Sequence, residues 1–111
     1  MPNLTNLAAT LNDTSLLVTK AFLGGEWRDA DDGATFPVTN PSRGDVICSV
    51  PDLGVKETAR AIESARLAQK TWAARTGKER AAILRKWYEL IIASADDLAA
   101  ILTAEMGKPL A

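Results

Sequence analysis

The sequence predicts an α/β chain in which two short β-hairpins precede three α-helices. Two turn signals indicate the hairpins: the pair Gly24-Gly25, and the segment NPSRG at residues 40–44. A change in the spacing of apolar residues along the sequence indicates the helices. After Gly54, Ala, Glu, Lys and Arg dominate, and apolar residues recur near helical spacing.

The first hairpin is predicted over residues 21–28, AFLGGEWR. Phe22 and Leu23 lead into the Gly-Gly pair, which accepts the positive φ angles of a two-residue turn. The next three residues, Glu26 to Arg28, would form the second strand of the hairpin. A polar loop, DADDG, follows at residues 29–33.

The second hairpin is predicted over residues 34–51, with arms at 36–39 and 45–50. In the second arm Cys48 alternates with Ile47 and Ser49, so period two places it on one face with two valines, Val46 and Val50. Desolvation among valines disfavours a thiolate, and no basic neighbour offsets this effect. The pattern therefore favours a structural role for the chain's single cysteine.

The first helix is predicted from Val55 to about Trp72. The second begins with a capping box, in which Thr76 accepts from a free backbone amide and Glu79 reaches back to the cap residue. It carries an apolar stripe at helical spacing: Ile83, Leu84, Trp87, Leu90 and Ile91. Such stripes are more often core than binding surface.

The third helix is predicted to be capped by Ser94, with acidic residues in its first turn where the helix dipole favours them. Its stripe consists of Leu98, Ile101, Leu102 and Met106. Gly107 is placed as its left-handed C-terminal residue, and Lys108-Pro109 is interpreted as the start of a fourth helix.

The composition excludes several classes of function. The 111 residues carry 13 basic and 14 acidic side chains, which argues against nucleic acid or an anionic membrane as a main partner. No apolar run approaches the ~20 residues of a membrane span. The first twenty residues resemble neither a secretory signal nor a transit peptide, so we expect a cytoplasmic protein with a partly ordered N-terminal arm.

The residue inventory predicts no catalytic, cofactor-binding or metal-ligating residue. The absence of histidine removes Ser-His-Asp and Cys-His arrangements and His-ligated zinc, and one cysteine cannot form a Cys-only metal site. The glycines form no phosphate-binding loop. A small thiol enzyme using Cys48 is the remaining catalytic alternative, and an ordinary thiol pKa would remove it.

Four motifs resemble, in order and spacing, the start of the aldehyde dehydrogenase superfamily, with the nearest likeness to NAD(P)-dependent succinate-semialdehyde dehydrogenases. The resemblance runs from about Leu11 to Ala111. The motifs are Gly25-Glu26-Trp27, Asn40-Pro41 with Gly44-Asp45, Trp72 with Glu79-Arg80, and Glu105-x-Gly107-Lys108-Pro109.

The resemblance implies the N-terminal segment of an aldehyde-dehydrogenase-type fold, without the parallel dinucleotide-binding sheet. Residues 1–20 would form an N-terminal arm, and 21–111 the incomplete N-terminal part of the NAD(P)-binding domain. In the full-length family a cysteine thiolate attacks the aldehyde, hydride passes to the nicotinamide, and a Glu-activated water releases the acid. Cys48 and Glu105 do not match the motifs of that nucleophile and base.

The resemblance therefore implies a segment that is inactive alone and binds neither NAD nor NADP. Its partner would be the remainder of the dehydrogenase chain, which would form a homo-oligomer in full length. We accordingly expect unusual exposure among Ile83, Trp87, Leu98 and Leu102, because part of their partner surface is absent. The alternative is a stand-alone helical interaction module without catalytic activity.

Overall fold

The computed structural model describes residues 4–110, where an N-terminal helix precedes two hairpins and three longer helices. The elements are α1 (Leu4–Thr10), β1 (Ala21–Leu23), β2 (Glu26–Arg28), β3 (Thr35–Thr39), β4 (Val46–Pro51), α2 (Val55–Ala74), α3 (Gly77–Ala93) and α4 (Ala95–Met106). The predicted class and the order of hairpins and helices are confirmed.

The first hairpin forms because its two glycines adopt the backbone angles that its turn requires. Gly24 has φ of 59° and Gly25 has φ of 82°, both in the left-handed region that favours glycine. The turn sets an antiparallel register in which Phe22 lies opposite Trp27. Their ring centroids are 4.9 Å apart, and both side chains are exposed.

The second hairpin is antiparallel and contains a register irregularity between Val38 and Thr39. Ile47 and Cys48 in β4 are both buried, with exposed fractions of 4% and 8%. Because neighbouring strand residues point to opposite faces, β4 is covered on both faces at this point. The sequence predicted one such face, and the structure adds α1, which packs against β4.

The start of α3 follows the predicted capping box. The Thr76 hydroxyl accepts from the Glu79 amide at 3.2 Å, and the Glu79 carboxylate accepts from the Thr76 amide at 2.8 Å. These bonds satisfy two backbone donors that the helix itself leaves free.

The predicted cap of α4 is wrong in one respect. Ser94 makes no side-chain capping bond, and its amide instead donates to the carbonyls of Leu90 and Ile91. Its φ of −108° and ψ of 16° differ from the extended conformation from which a capping hydroxyl reaches forward. Gly107 ends α4 in the left-handed conformation, as predicted. Residues 108–110 are too few to form a helical turn, so the restart at Lys108 stays a prediction.

The N-terminal arm lies on the body of the chain. Helix α1 packs against α4 and β4, and Leu11 just after it is buried. A short 3₁₀ turn, Thr14–Leu16, follows and is capped by Asp13, whose carboxylate accepts from the Ser15 amide at 3.0 Å. The arm is thus tied to elements that lie far from it in sequence.

The core of the described residues is small for a chain of this length. Its buried apolar residues are Leu11, Ala30, Ile47 and Cys48. The accessible surface is 8283 Å², against about 6,000 Å² for a compact monomer of this mass. The radius of gyration is 16.8 Å, against about 13 Å for a compact domain. Among residues 4–110, none of the helices combines the length with the apolar character that a membrane span requires.

Candidate functional site

Cys48 lies in the buried part of β4, where its surroundings disfavour the reactive thiolate. Loss of solvation raises the pKa of the thiol, and the negative charge of Glu105 raises it further. A catalytic thiol needs the opposite shift, toward a stable thiolate. The structure therefore supports the structural role predicted for this residue.

We expect the Cys48 thiol of the folded chain to react with iodoacetamide at least about tenfold more slowly than in the urea-unfolded chain. Burial blocks access, and the raised pKa leaves a smaller thiolate fraction at any pH below it. The rate in the folded chain should begin to rise at a higher pH than in the unfolded chain. Mass spectrometry of the alkylated protein measures both rates, and equal rates would contradict the assignment.

Asp97 is a buried carboxylate that binds the N-terminal arm. It is 5% exposed and lies in the first turn of α4. One of its oxygens accepts from the Asn12 amide at 2.9 Å, and the other accepts from the Asp13 amide at 2.8 Å. The Asn12 side-chain amide adds a third bond at 3.3 Å. Asp97 therefore fixes the arm to a helix that lies about 85 residues away in sequence.

Glu57 at the start of α2 is a second buried carboxylate that binds a distant loop. It is buried, and one oxygen accepts from the Gly54 amide at 3.1 Å. The other oxygen accepts from the Asp31 amide at 3.2 Å, in the loop after the first hairpin. This carboxylate therefore caps the helix and fixes the preceding loop to it.

The sequence pattern does not predict these two binding roles. A local signal was present, since Glu57 and Asp97 each lie three residues after the residue that precedes their helix, Gly54 and Ser94. An acidic residue at that position is typical of a capping box. The bonds to distant amides have no local signal, because they depend on which loop packs beside the helix.

A cleft of about 210 Å³ lies between the first hairpin and α2. Arg60 lies at its edge and binds both oxygens of Asp31, at 2.8 and 2.7 Å. Asp29 pairs with Lys20 at 3.3 Å, and Arg28 pairs with Glu26 at 2.8 Å. Each of these charges already has a protein partner, so the cleft offers no free cation for a phosphate group.

Metal ligands are likewise not brought together within residues 4–110, where no group of three or more acidic or cysteine side chains is placed to hold an ion.

The most unusual feature of the described residues is the exposed apolar side of α3. Helix α3 contains no buried residue, although its apolar stripe was interpreted as core. Of the four residues expected to be exposed, Ile83, Trp87 and Leu102 are exposed, and Leu98 is half-buried.

Comparison with known proteins gives one family. The sequence model described as the aldehyde dehydrogenase family matches residues 27–111, which is more than half of the chain. A glutarate-semialdehyde dehydrogenase of Pseudomonas putida is 54% identical over 101 residues, covering 91% of this chain and 21% of the relative. The NADP(+) succinate-semialdehyde dehydrogenase of Escherichia coli is 50% identical over the same coverage.

The solved structures agree. The crystal structure of succinate-semialdehyde dehydrogenase from Burkholderia pseudomallei matches with a TM-score of 0.88 and 54% identity, covering 91% of this chain and 21% of that chain. The chain thus spans about one fifth of the length of these relatives, and it has the conformation of the corresponding segment.

Proposed function

Because this chain belongs to the aldehyde dehydrogenase family, we propose that it is the N-terminal segment of an NAD(P)-dependent enzyme that oxidises succinate semialdehyde to succinate. The observation that carries the proposal is the match to semialdehyde dehydrogenases over 91% of this chain and 21% of theirs. The substrate class is a short aldehyde with a distal carboxylate, since two of these relatives are named for such substrates.

The segment alone is proposed to be inactive and to serve as scaffold. The pairing of the cations at the cleft beside α2 with carboxylates supports this proposal. The one cysteine of the segment is buried with a raised pKa. Binding of NAD or NADP and the oxidation itself are therefore assigned to the remainder of the enzyme.

We also propose a domain assignment, a cellular location and an assembly for the enzyme. Residues 21–111 are assigned to the N-terminal part of the NAD(P)-binding domain, and residues 1–20 to an arm that Asp97 fixes in place. The full-length enzyme is proposed to be a cytoplasmic homo-oligomer. Neither nucleic acid nor membrane is proposed as a partner, since the net charge is −1 and no basic stretch is present.

A chimera tests the proposal directly. This chain replaces the matching segment of the Escherichia coli relative, and oxidation of succinate semialdehyde is followed with NADP and with NAD. We expect the chimera to be active. In calorimetric titrations we expect the 111-residue chain alone to bind neither nucleotide. A folded but inactive chimera, or saturable nucleotide binding by the chain alone, would contradict the proposal.

A stand-alone helical interaction module is the second candidate. The observation that favours it is the capping box of α3, which stabilises the helix from within its own sequence. A sharp, cooperative thermal transition and a monodisperse sample of the chain alone would support this candidate. A broad transition would support the scaffold instead, because the small core leaves few contacts to lose together.

A further inference from the structure

The N-terminal helix depends on the rest of the chain for its position. Helix α1 has seven residues, and a helix of that length is marginal in water by itself. It contains no charged residue that could complement its dipole. We define the α1 lid as residues 4–13, which comprise α1 and the three residues after it. Segments near a chain end are ordered where other elements tie them down.

The α1 lid is attached to the rest of the fold through few groups. Among residues 7–13, only Leu11 is buried. A second attachment is the Asp97 carboxylate, which accepts from the backbone amides of Asn12 and Asp13. Segments with few buried apolar contacts open at a lower free energy than the core does. The lid is therefore built to open while the hairpins and the longer helices stay folded.

The attachment at Asp97 places the lid over one face of β4. Asp97 is the third residue of α4, so α4 extends from it almost wholly toward Glu105, about 12 Å away along the helix axis. Helix α1 is about 10 Å long. Because α1 packs against both α4 and β4, it lies along this stretch of α4 and over the neighbouring strand.

Cys48 lies on the face of β4 that the lid covers. The negative charge of Glu105 raises the pKa of its thiol, an effect that requires the two groups to be near each other. The thiol therefore faces the same stretch of α4 as the lid does. Cys48 is 8% exposed, although its cross-strand partner Val38 is only half-buried. The strand pairing alone does not account for the burial of the thiol, and the lid supplies the missing cover.

We propose that the α1 lid opens as a unit while the rest of the fold stays intact, that the Asp97 bonds set how often it opens, and that each opening uncovers the Cys48 thiol. This device lies within the chain and does not depend on the proposed enzyme activity. It links two features that are far apart in sequence, the attachment of the N-terminal arm and the reactivity of the thiol.

The link acts in both directions. In the open state the Cys48 sulfur attacks the carbon of an alkylating reagent, a carbon–sulfur bond forms, the leaving group departs with its bonding electrons, and the thiol proton passes to solvent. Protein interiors are close-packed, so the closed lid has no space for the added group. A modification that requires the open state also favours that state. Alkylated Cys48 therefore holds the lid open.

The rate at which iodoacetamide alkylates Cys48 tests the lid, with peptide mass spectrometry of the 111-residue chain as the measurement. Asp97→Ala should raise this rate at least about fivefold, because it removes the bonds that hold the lid closed. Asp96→Ala removes the adjacent acid, which is exposed and binds no amide of the lid. It should change the rate by less than about twofold.

Glu57→Ala distinguishes opening of the lid from general loosening. Glu57 is also a buried carboxylate that binds two backbone amides, but it holds the loop at Asp31. We expect it to change the Cys48 rate by less than about twofold. Equal acceleration by Asp97→Ala and Glu57→Ala would overturn the proposal, because the thiol would then be uncovered by unfolding of the whole chain. An unchanged rate in Asp97→Ala would overturn it as well.

The unsubstituted chain provides a test that requires no variant to fold. A local opening exposes little surface, so the Cys48 rate should change by less than about twofold between 0 and 1 M urea. Exposure through complete unfolding would instead raise the rate by roughly tenfold over that range, and this result would refute the lid. The same measurements on the chimera decide the question if the chain alone has no cooperative fold.

Hydrogen exchange after alkylation tests the reverse direction. With Cys48 fully alkylated, the amides of Asn12 and Asp13 should exchange at least about tenfold faster. The amides of Gly54 and Asp31 serve as controls and should not change, since Glu57 holds them elsewhere in the fold. Unchanged exchange at Asn12 and Asp13, or equal acceleration at all four amides, would contradict the proposal.

Discussion

Asp97→Ala is expected to detach the N-terminal arm from α4 and to lower the free energy of its local opening by about 3 kcal/mol. The carboxylate is buried and accepts two backbone amides and one side-chain amide. Without it, the amides of Asn12 and Asp13 lose their charge-assisted bonds to a buried acceptor.

Hydrogen exchange of the Asn12 and Asp13 amides, measured in the chimera, reports this opening free energy directly. Asp96→Ala is the control, because Asp96 is the adjacent acid in the same helical turn but is exposed and binds no amide of the arm. Asp97→Asn should have an intermediate effect, since its one oxygen still accepts while its amino group faces a second donor. Equal exchange in Asp97→Ala and Asp96→Ala would show that the arm is held by apolar packing instead.

Glu57→Ala is expected to cost about 2 kcal/mol and to loosen the first hairpin relative to α2. Two backbone donors lose their acceptor: the amide of Gly54 at the start of the helix and that of Asp31 in the loop. The Arg60–Asp31 pair is exposed and contributes less than a buried bond, so it does not compensate.

Urea unfolding of the chimera measures this change, with hydrogen exchange at Gly54 and Asp31 to locate it. Glu63→Ala is the matched control, because Glu63 lies in the same helix and pairs with Arg66 on the exposed side. We expect that variant to change stability by less than about 0.5 kcal/mol. A loss of similar size from both variants would mean that helix charge, rather than the amide bonds, sets the effect.

The elements that the sequence predicted well are those encoded within a few residues. The turn at Gly24-Gly25 needs two positive φ angles, and glycine supplies them whatever lies around it. The capping box at Thr76 and Glu79 joins residues three apart, and the left-handed end at Gly107 depends on one residue. Such features depend on sterics and on bonds to the nearest backbone, so a sequence pattern suffices.

The error arose where two elements meet. Ser94 has the side chain of a helix cap, but it follows the last residue of α3, and its amide donates to the final carbonyls of that helix. The backbone conformation at Ser94 depends on the short connection between α3 and α4. The preference of serine for helix caps does not encode that connection.

The sequence by itself determined the class of the fold, the order of its hairpins and helices, and the likeness to aldehyde dehydrogenases, which the family match confirms. The tertiary structure decided the roles of Asp97 and Glu57, and the covering of β4 on both faces. It also showed how much of α3 lies uncovered. The physical reason is distance along the chain: a turn or cap is completed by its neighbours, whereas a buried carboxylate or an apolar face is defined by whatever distant segment packs against it.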